Sequence, residues 1–478
     1  MLYKKFLQKI ENDLKISGAG DDANPEHDRY LINNKNYQKV LIKNIPYIFT
    51  CDKDEKLLCK KGFSIEIEAG VIKKVFKAKD INQKYYDLIY DASKRGGVIV
   101  TPGLINTHAH IHMYHLRSAM MLDEGEGVDQ AIADMSVWQK SDTDEQMAYA
   151  SVADLTEQQK FGITTTLTQG PSFNAHEAAA RATHHNLINA VSAVSNSRPS
   201  NNPEMVKKIF EKKSEYFSIP AVSLHYLYKT KISELREIKE MIDENNSLLT
   251  FHMAESDFVV KQTLKKHKLR EVKLLETVGL LNDRSIASHV LHVNDSEIKR
   301  MAESGMGIAH LPTSNTIHKS GIFPIFRFMK VAGSRKISLG TDSVISKNRL
   351  DILTEAYQAR LTHIFKRTLK FGTLFKMMTS SGANVLHMPQ RGRILPGMQA
   401  DLAFWKIKDR GCIPYDEKNP FSLIGNMITH NGRTVRDLMI NGKFVIKNRR
   451  HQLIDESKLL DSIQKRHIRM RRRSRKID

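Results

Sequence analysis

From residue 98 to about residue 366 the chain alternates short β-branched runs with segments of helical period, and this alternation constrains the fold more than any other feature. Strands are predicted at 98–105, 163–168, 187–194, 220–226, 248–253, 285–291, 306–311 and 336–340. Between them, residues 232–245 put Ile232, Leu235, Ile238, Met241 and Ile242 on one helical face. A second helix over 296–304 has Asp295 placed to cap it and Gly305 placed to end it. Strict strand-helix alternation dictates parallel strands, and eight such units in roughly 250 residues form an α/β fold of the closed (β/α)8, TIM-type barrel class. An open doubly wound sheet is the alternative, but no GxGxxG turn follows any of the strands.

Outside this block the texture changes. Residues 37–97 and 391–455 read as short strands with turn signals, including Glu68-Ala69-Gly70 and Asn441-Gly442. Each flank alone has too few strands to bury a face, so the two are expected to meet as one small composite β-sandwich beside a barrel of residues 98–390. Three cysteines, Cys51, Cys59 and Cys412, are too few and too scattered for a disulfide framework or a zinc-thiolate site, which points to a reducing, cytoplasmic compartment. The first residues intersperse lysines and acids among apolar positions, unlike a signal peptide or an anchor, and no run is long and apolar enough to span a bilayer. A net charge of +21 is high for a metabolic enzyme, and part of it sits in the basic tail 456–478. That tail reads as a solvated, frayed terminus; any nucleic-acid contact is expected only through it, and no aromatic residue interleaves its charges.

The chemistry concentrates at the strand ends. His108 and His110 close the first strand two residues apart, hence on one side of it, and in a barrel that side faces the interior at the C-terminal rim. An HxH pair alone arises readily by chance among 20 histidines. Here it has company: His225 ends the fourth strand, His252 the fifth, His289 the sixth, and Asp342 follows the eighth. Burying such groups without partners costs about 2 to 7 kcal/mol each, so five strands sharing the feature define a site, not a core.

These same segments carry a family resemblance. TPGLINTHAH, HMAE, SHVLHVNDSEI, AHLPTSN and SLGTDS, with GRILPGMQADLAFW and VRDLMINGKFV in the flank, resemble the amidohydrolase superfamily over about residues 37–455. The branch they resemble holds S-adenosylhomocysteine/methylthioadenosine deaminases and triazine chlorohydrolases. The resemblance implies that His108, His110, His252 and Asp342 bind one divalent ion, Zn2+ or Fe2+, and that His225, with no lysine ending its strand, marks the mononuclear branch. It implies a hydrolytic deaminase of an amino-substituted nucleoside or N-heterocycle, releasing ammonia by attack of metal-bound hydroxide. Asp342 is then placed as general base, Glu255 as the proton donor to the ring nitrogen, His289 as the group steadying the incoming oxygen, and His225 as a substrate-orienting residue. Glu255 also suits the first turn of a following helix.

Other residues carry weaker expectations. His112 and His115 either line the pocket or hydrogen-bond within the loop, His292 is expected to pack, and His310 to reach substrate. Arg198 either binds a substrate carboxylate or is solvated, Trp138 either stacks on a base or packs in the core, and Asn315 contacts substrate or supports the rim. Where related sequences have Ala-Pro after the strand-four histidine, this chain has Tyr226-Leu227, and its segment MSVWQKSD departs from the sugar-binding pattern. A chlorohydrolase or cyclic amidohydrolase acting on a triazine-like ring is the alternative within enzymes. A basic binding protein without activity would show a broken ligand set, and this one is intact. A homo-oligomer is compatible with the sequence.

Overall fold

The computed structural model describes residues 2–16, 38–77, 82–94, 96–117, 142–195, 198–347 and 349–474. Its centre is an eight-stranded sheet in which every neighbouring pair is parallel and strand order follows chain order. The strands are Leu104–Ala109, Ile163–Gly170, Asn186–Ser192, Ile219–Tyr226, Leu249–Met253, Ser285–His289, Gly307–His310 and Ile337–Leu339. The sheet closes on itself through one bridge, Ala109 to Asp342, with the Asp342 amide donating to the His108 carbonyl at 3.0 Å. Lower in the same seam Thr107 Oγ1 lies 2.7 Å from Ser338 Oγ. The barrel's closing seam is therefore built from the residues that the sequence marks for metal binding. Below it, Ile105, Leu167, Ile188, Leu248 and Ile286 pack with Val385 and Leu386 to fill the barrel floor.

The expected first strand, 98–105, is two strands. Val98–Pro102 pairs with Leu402–Lys406 on one side and with Lys39–Cys51 on the other, and only Leu104–Ala109 enters the barrel. The break falls at Gly103, where an added Cβ would come within 2.1 Å of Thr164 Oγ1, so the chain crosses from sheet to barrel where only glycine fits. Pro102-Gly103 marks the break in the sequence, a pair that the reading of 98–105 as one strand passed over. Val98–Pro102 thus joins the two flanks into one continuous nine-stranded mixed sheet. Its apolar face buries Ile42, Ile48, Ile65, Val100, Leu402 and Phe404. The two hairpin turns noted above have consecutive positive φ, 49° and 79° at Ala69 and Gly70 and 49° and 78° at Asn441 and Gly442. They abut: a Cβ on Gly442 would lie 2.6 Å from Gly70 Cα.

The helix Ile232–Asn245 forms where its apolar face predicts, burying Leu235, Ile238, Met241 and Ile242. The helix Asp295–Glu303 is capped by Asn294, not Asp295: the Asn294 side chain accepts from the Glu297 amide and Glu297 returns the bond in a capping box. The basic terminus is the larger correction. Residues Glu456–Ser474 form a helix whose Leu459, Ile463 and Met470 are buried. Its apolar positions recur at helical spacing but are diluted by charge, which is why composition read as a frayed tail. Arg466 holds Glu145 at 3.2 Å and lies 3.5 Å over the Tyr149 ring, and the His467 ring donates to the His115 carbonyl at 2.7 Å. The helix Leu2–Leu14 packs beside it, burying Tyr3, Ile10 and Leu14. Among the described residues no helix is long and apolar enough to cross a membrane.

Candidate active site

At the C-terminal rim the structure brings His108, His110, His252, His289 and Asp342 together. Ligand atoms of His108, His110 and Asp342 lie within 4.8 Å of one another, as do those of His108, His252 and His289. His110 Nε2 is 3.3 Å from His252 Nε2 and 3.5 Å from Asp342 Oδ1, and His108 Nε2 is 3.7 Å from the same oxygen.

The orientation of each ring is fixed from behind. His108 Nδ1 meets Ser288 Oγ at 2.8 Å, His110 Nδ1 the Gln169 carbonyl at 3.2 Å, and His252 Nδ1 the His225 carbonyl at 2.8 Å. Two of these partners are carbonyls, which only accept, so the protons of His110 and His252 sit on Nδ1 and their Nε2 lone pairs face the common centre. Burial, reinforced by the His108 charge, pushes His110 down to about 4. Burial and the imidazoles of His225, His108, His289 and His110 hold His252 well below its ordinary range. Both rings are therefore neutral near pH 7, the form that binds metal. Burial opposes ionisation of Asp342, but the electrostatic field of the adjacent imidazoles, His108 first and then His110 and His289, holds its carboxyl well below the usual carboxylate range. Asp342 Oδ2 also accepts from Ser314 Oγ at 2.6 Å. His108 Nε2 is buried without a hydrogen-bond partner among the described residues. An orphaned buried nitrogen, neutral imidazoles and an ionised carboxylate on one centre fit a divalent cation.

Glu255 stands beside this group. Its Oε2 accepts from the Tyr226 hydroxyl at 2.6 Å and its Oε1 is 3.5 Å from His289 Nε2. His289 is held by Asn315, whose Oδ1 is 2.8 Å from its Nδ1, so Asn315 stands behind the ring while its own Nδ2 has no partner among the described residues. The turn presenting Glu255 is pinned by the Ala254 amide, which donates to Glu271 at 2.8 Å. Burial pushes the Glu271 carboxyl up to about 8. Four residues around the site, Ala254, His289, Val290 and Asp342, adopt φ between 47° and 70°. Such conformations cost about 1–3 kcal/mol each and are retained where surrounding structure over-determines them.

His225 is half-buried, with Lys229 Nζ 3.2 Å from its Nδ1, which leaves its proton on Nε2. Arg198 pairs with Asp144 at 2.6 Å, so a substrate carboxylate would compete with that acid for the guanidinium. Trp138 lies outside the described residues. His115 faces Asp142 at 3.1 Å within the loop, and His292 is held by the Ser320 carbonyl at 2.7 Å as a packing residue. His310 is buried against Phe323, its ring nitrogens unpartnered among the described residues. Tyr226, Ser288, Gln169, Ser314 and Lys229 are the site residues that sequence reasoning did not assign a role. Only the unusual Tyr226-Leu227 pair gave a signal.

A parallel barrel with imidazoles and a carboxylate converging at its C-terminal rim defines the class of metal-dependent barrel hydrolases. Residues 99–445 match the Amidohydrolase family, and the chain belongs to that family and is a hydrolase acting on carbon–nitrogen bonds. The chain is 29% identical over 443 residues to a 5-methylthioadenosine/S-adenosylhomocysteine deaminase of Thermodesulfovibrio yellowstonii, covering 88% of this chain and 97% of that protein. It is 28% identical to the enzyme of the same description from Pyrococcus furiosus, covering 84% and 94%. Among solved structures, an adenosine deaminase from Xanthomonas campestris with bound zinc superposes with a TM-score of 0.80 at 20% identity, covering 90% of this chain and 98% of that one. An atrazine chlorohydrolase from Arthrobacter aurescens complexed with zinc gives 0.78 at 20% identity, covering 90% and 100%.

Proposed function

We propose that this protein is a hydrolytic deaminase of an adenosine-type nucleoside or a related amino-substituted N-heterocycle, using one divalent ion held by His108, His110, His252 and Asp342. The observation that carries the reading is the pairing of that ligand group with Glu255, a buried carboxyl whose one oxygen is engaged by Tyr226 and whose other faces His289 at 3.5 Å. A divalent ion, zinc or iron, supplies an activated water at neutral pH when bound.

The chain's own residues do the rest. Asp342 accepts the proton of the attacking water. Glu255 gives a proton to the ring nitrogen beside the attacked carbon, which takes up the electron pair displaced as the carbon–oxygen bond forms. His289, fixed by Asn315, steadies the incoming oxygen, and His225 orients the ring. Proton return to the amino group lets ammonia leave as the carbon–nitrogen bond breaks. Arg198 and Trp138 are assigned to substrate contact, and Asn315, through His289, to supporting the rim.

The test is ammonia release from metal-replete protein over a panel of adenosine, 5-methylthioadenosine, S-adenosylhomocysteine, aminopurines and pterins, with chlorinated triazines alongside. Turnover of at least one amine, lost in Asp342→Ala and in Glu255→Gln, is expected. Turnover of chlorinated rings and of no amine would replace this reading by a chlorohydrolase.

A further inference from the structure

We propose that the helix Glu456–Ser474 is a docking surface for the phosphate backbone of nucleic acid. It carries seven Lys or Arg against two acids in a chain of net charge +21. A frayed tail of that composition would be an unstructured counterion. Here the helix is a fixed ridge: Leu459, Ile463 and Met470 are buried, Arg466 is consumed by Glu145 and Tyr149, and His467 is bonded to the His115 carbonyl. Those anchors occupy the inner face, and Lys465, Arg469 and Arg472, four and three residues apart, form one exposed outer stripe. At 1.5 Å per residue that stripe spans about 10 Å, a length over which a duplex carries about six charges.

The neighbouring helix adds to it. The Asp455 amide donates to the Leu14 carbonyl, and Lys9 and Arg466 meet on Glu145 at 2.7 and 3.2 Å. From that junction the two helices run antiparallel, which carries the exposed Lys4 and Lys5 toward the end that holds Arg469 and Arg472. An anionic membrane is the competing partner. It would use an outward apolar face, whereas the apolar face of this helix is spent on the barrel, the exposed remainder is Leu460 and Ile468, and the helix has no aromatic residue. Binding is thus expected to be electrostatic, indifferent to base sequence and steeply dependent on salt.

The experiment is fluorescence anisotropy of labelled 20-base-pair RNA and DNA duplexes with the full chain at 50 and 200 mM salt, with phosphatidylserine vesicles as a parallel arm. The variant is Lys465→Glu/Arg469→Glu/Arg472→Glu, which leaves every buried anchor in place; its thermal midpoint and ammonia release should match the parent. The parent should bind a duplex at 50 mM salt and weaken more than tenfold by 200 mM. The variant should bind at least tenfold more weakly, with a log–log salt slope smaller by about 2 to 3. Absence of duplex binding at 50 mM salt, parental affinity in the variant, or binding to vesicles alone would overturn the proposal. Because these readouts do not involve turnover, they stand or fall separately from the deaminase reading.

Discussion

Each metal-facing imidazole depends on a partner behind it, and those partners make the sharpest predictions at the scale of single residues. Ser288 is His108's hydroxyl partner at 2.8 Å. Ser288→Ala should weaken metal binding about 10–100-fold, the usual cost of an outer partner, with little change in thermal stability; a competition titration with a chelator reads it. Tyr226 has a different task, since its hydroxyl is the bond that turns Glu255 toward His289. Tyr226→Phe leaves a buried Glu255 oxygen without its partner, at a cost of about 1–3 kcal/mol, and should lower kcat by roughly ten- to hundredfold with KM nearly unchanged. An unchanged kcat would mean that Glu255 is held by its surroundings alone. The convergence of the histidines and Asp342 at one rim was legible in the sequence because titratable residues at the ends of apolar strands have no cheap alternative explanation. Ser288, Gln169 and Tyr226 were not, because a serine, a glutamine or a tyrosine gains a role only from a partner on another strand.

Secondary-structure elements were readable in proportion to how much of their signal is local. The helix Ile232–Asn245 carries a clean amphipathic face and forms over the expected residues. The break before the barrel's first strand is signalled locally by Pro102-Gly103, but the tertiary reason for the glycine, Thr164 on the neighbouring strand, is not. The helix Glu456–Ser474 was missed as an element since three buried apolar residues are outweighed in any composition average by seven basic ones. Turns sit at the other extreme, with Asn441-Gly442 announcing a hairpin by itself. What the sequence does not show is that this turn leans on Gly70. At Gly442 the φ of 78° and the 2.6 Å approach of an added Cβ to Gly70 Cα act together, so Gly442→Ala should cost about 1–3 kcal/mol in urea unfolding without altering the barrel site.

Two buried histidines remote from the candidate metal ligands, one of them bridging the flank sheet and a barrel helix, make the stability of the molecule depend on pH. His451 Nδ1 accepts from the Leu453 and Ile454 amides at 3.1 and 3.0 Å, while its Nε2 donates to Gln159 on the barrel helix at 2.8 Å. A proton on Nδ1 would break both amide bonds. Burial, with the Lys160 charge, pushes His451 down to about 3, and burial with Arg391 does the same to His185, whose Nε2 is 2.9 Å from Thr166 Oγ1. An unfolded histidine titrates near 6.5, so between 6.5 and 3 the unfolded chain binds more protons than the folded one and stability rises with pH. The contribution of each ring is thus fully present above 6.5 and is lost as the pH falls toward 3, at about 1.4 kcal/mol per pH unit. Moving from pH 7 to pH 5 should remove on the order of 2 kcal/mol for each of the two. His451→Gln keeps an acceptor for the backbone and cannot be protonated. The variant should therefore be less stable than the parent at pH 7 yet lose less between pH 7 and pH 5, measured by urea unfolding at matched metal content. Parallel pH profiles for the two proteins would show that the flank sheet is not coupled to the barrel through this ring.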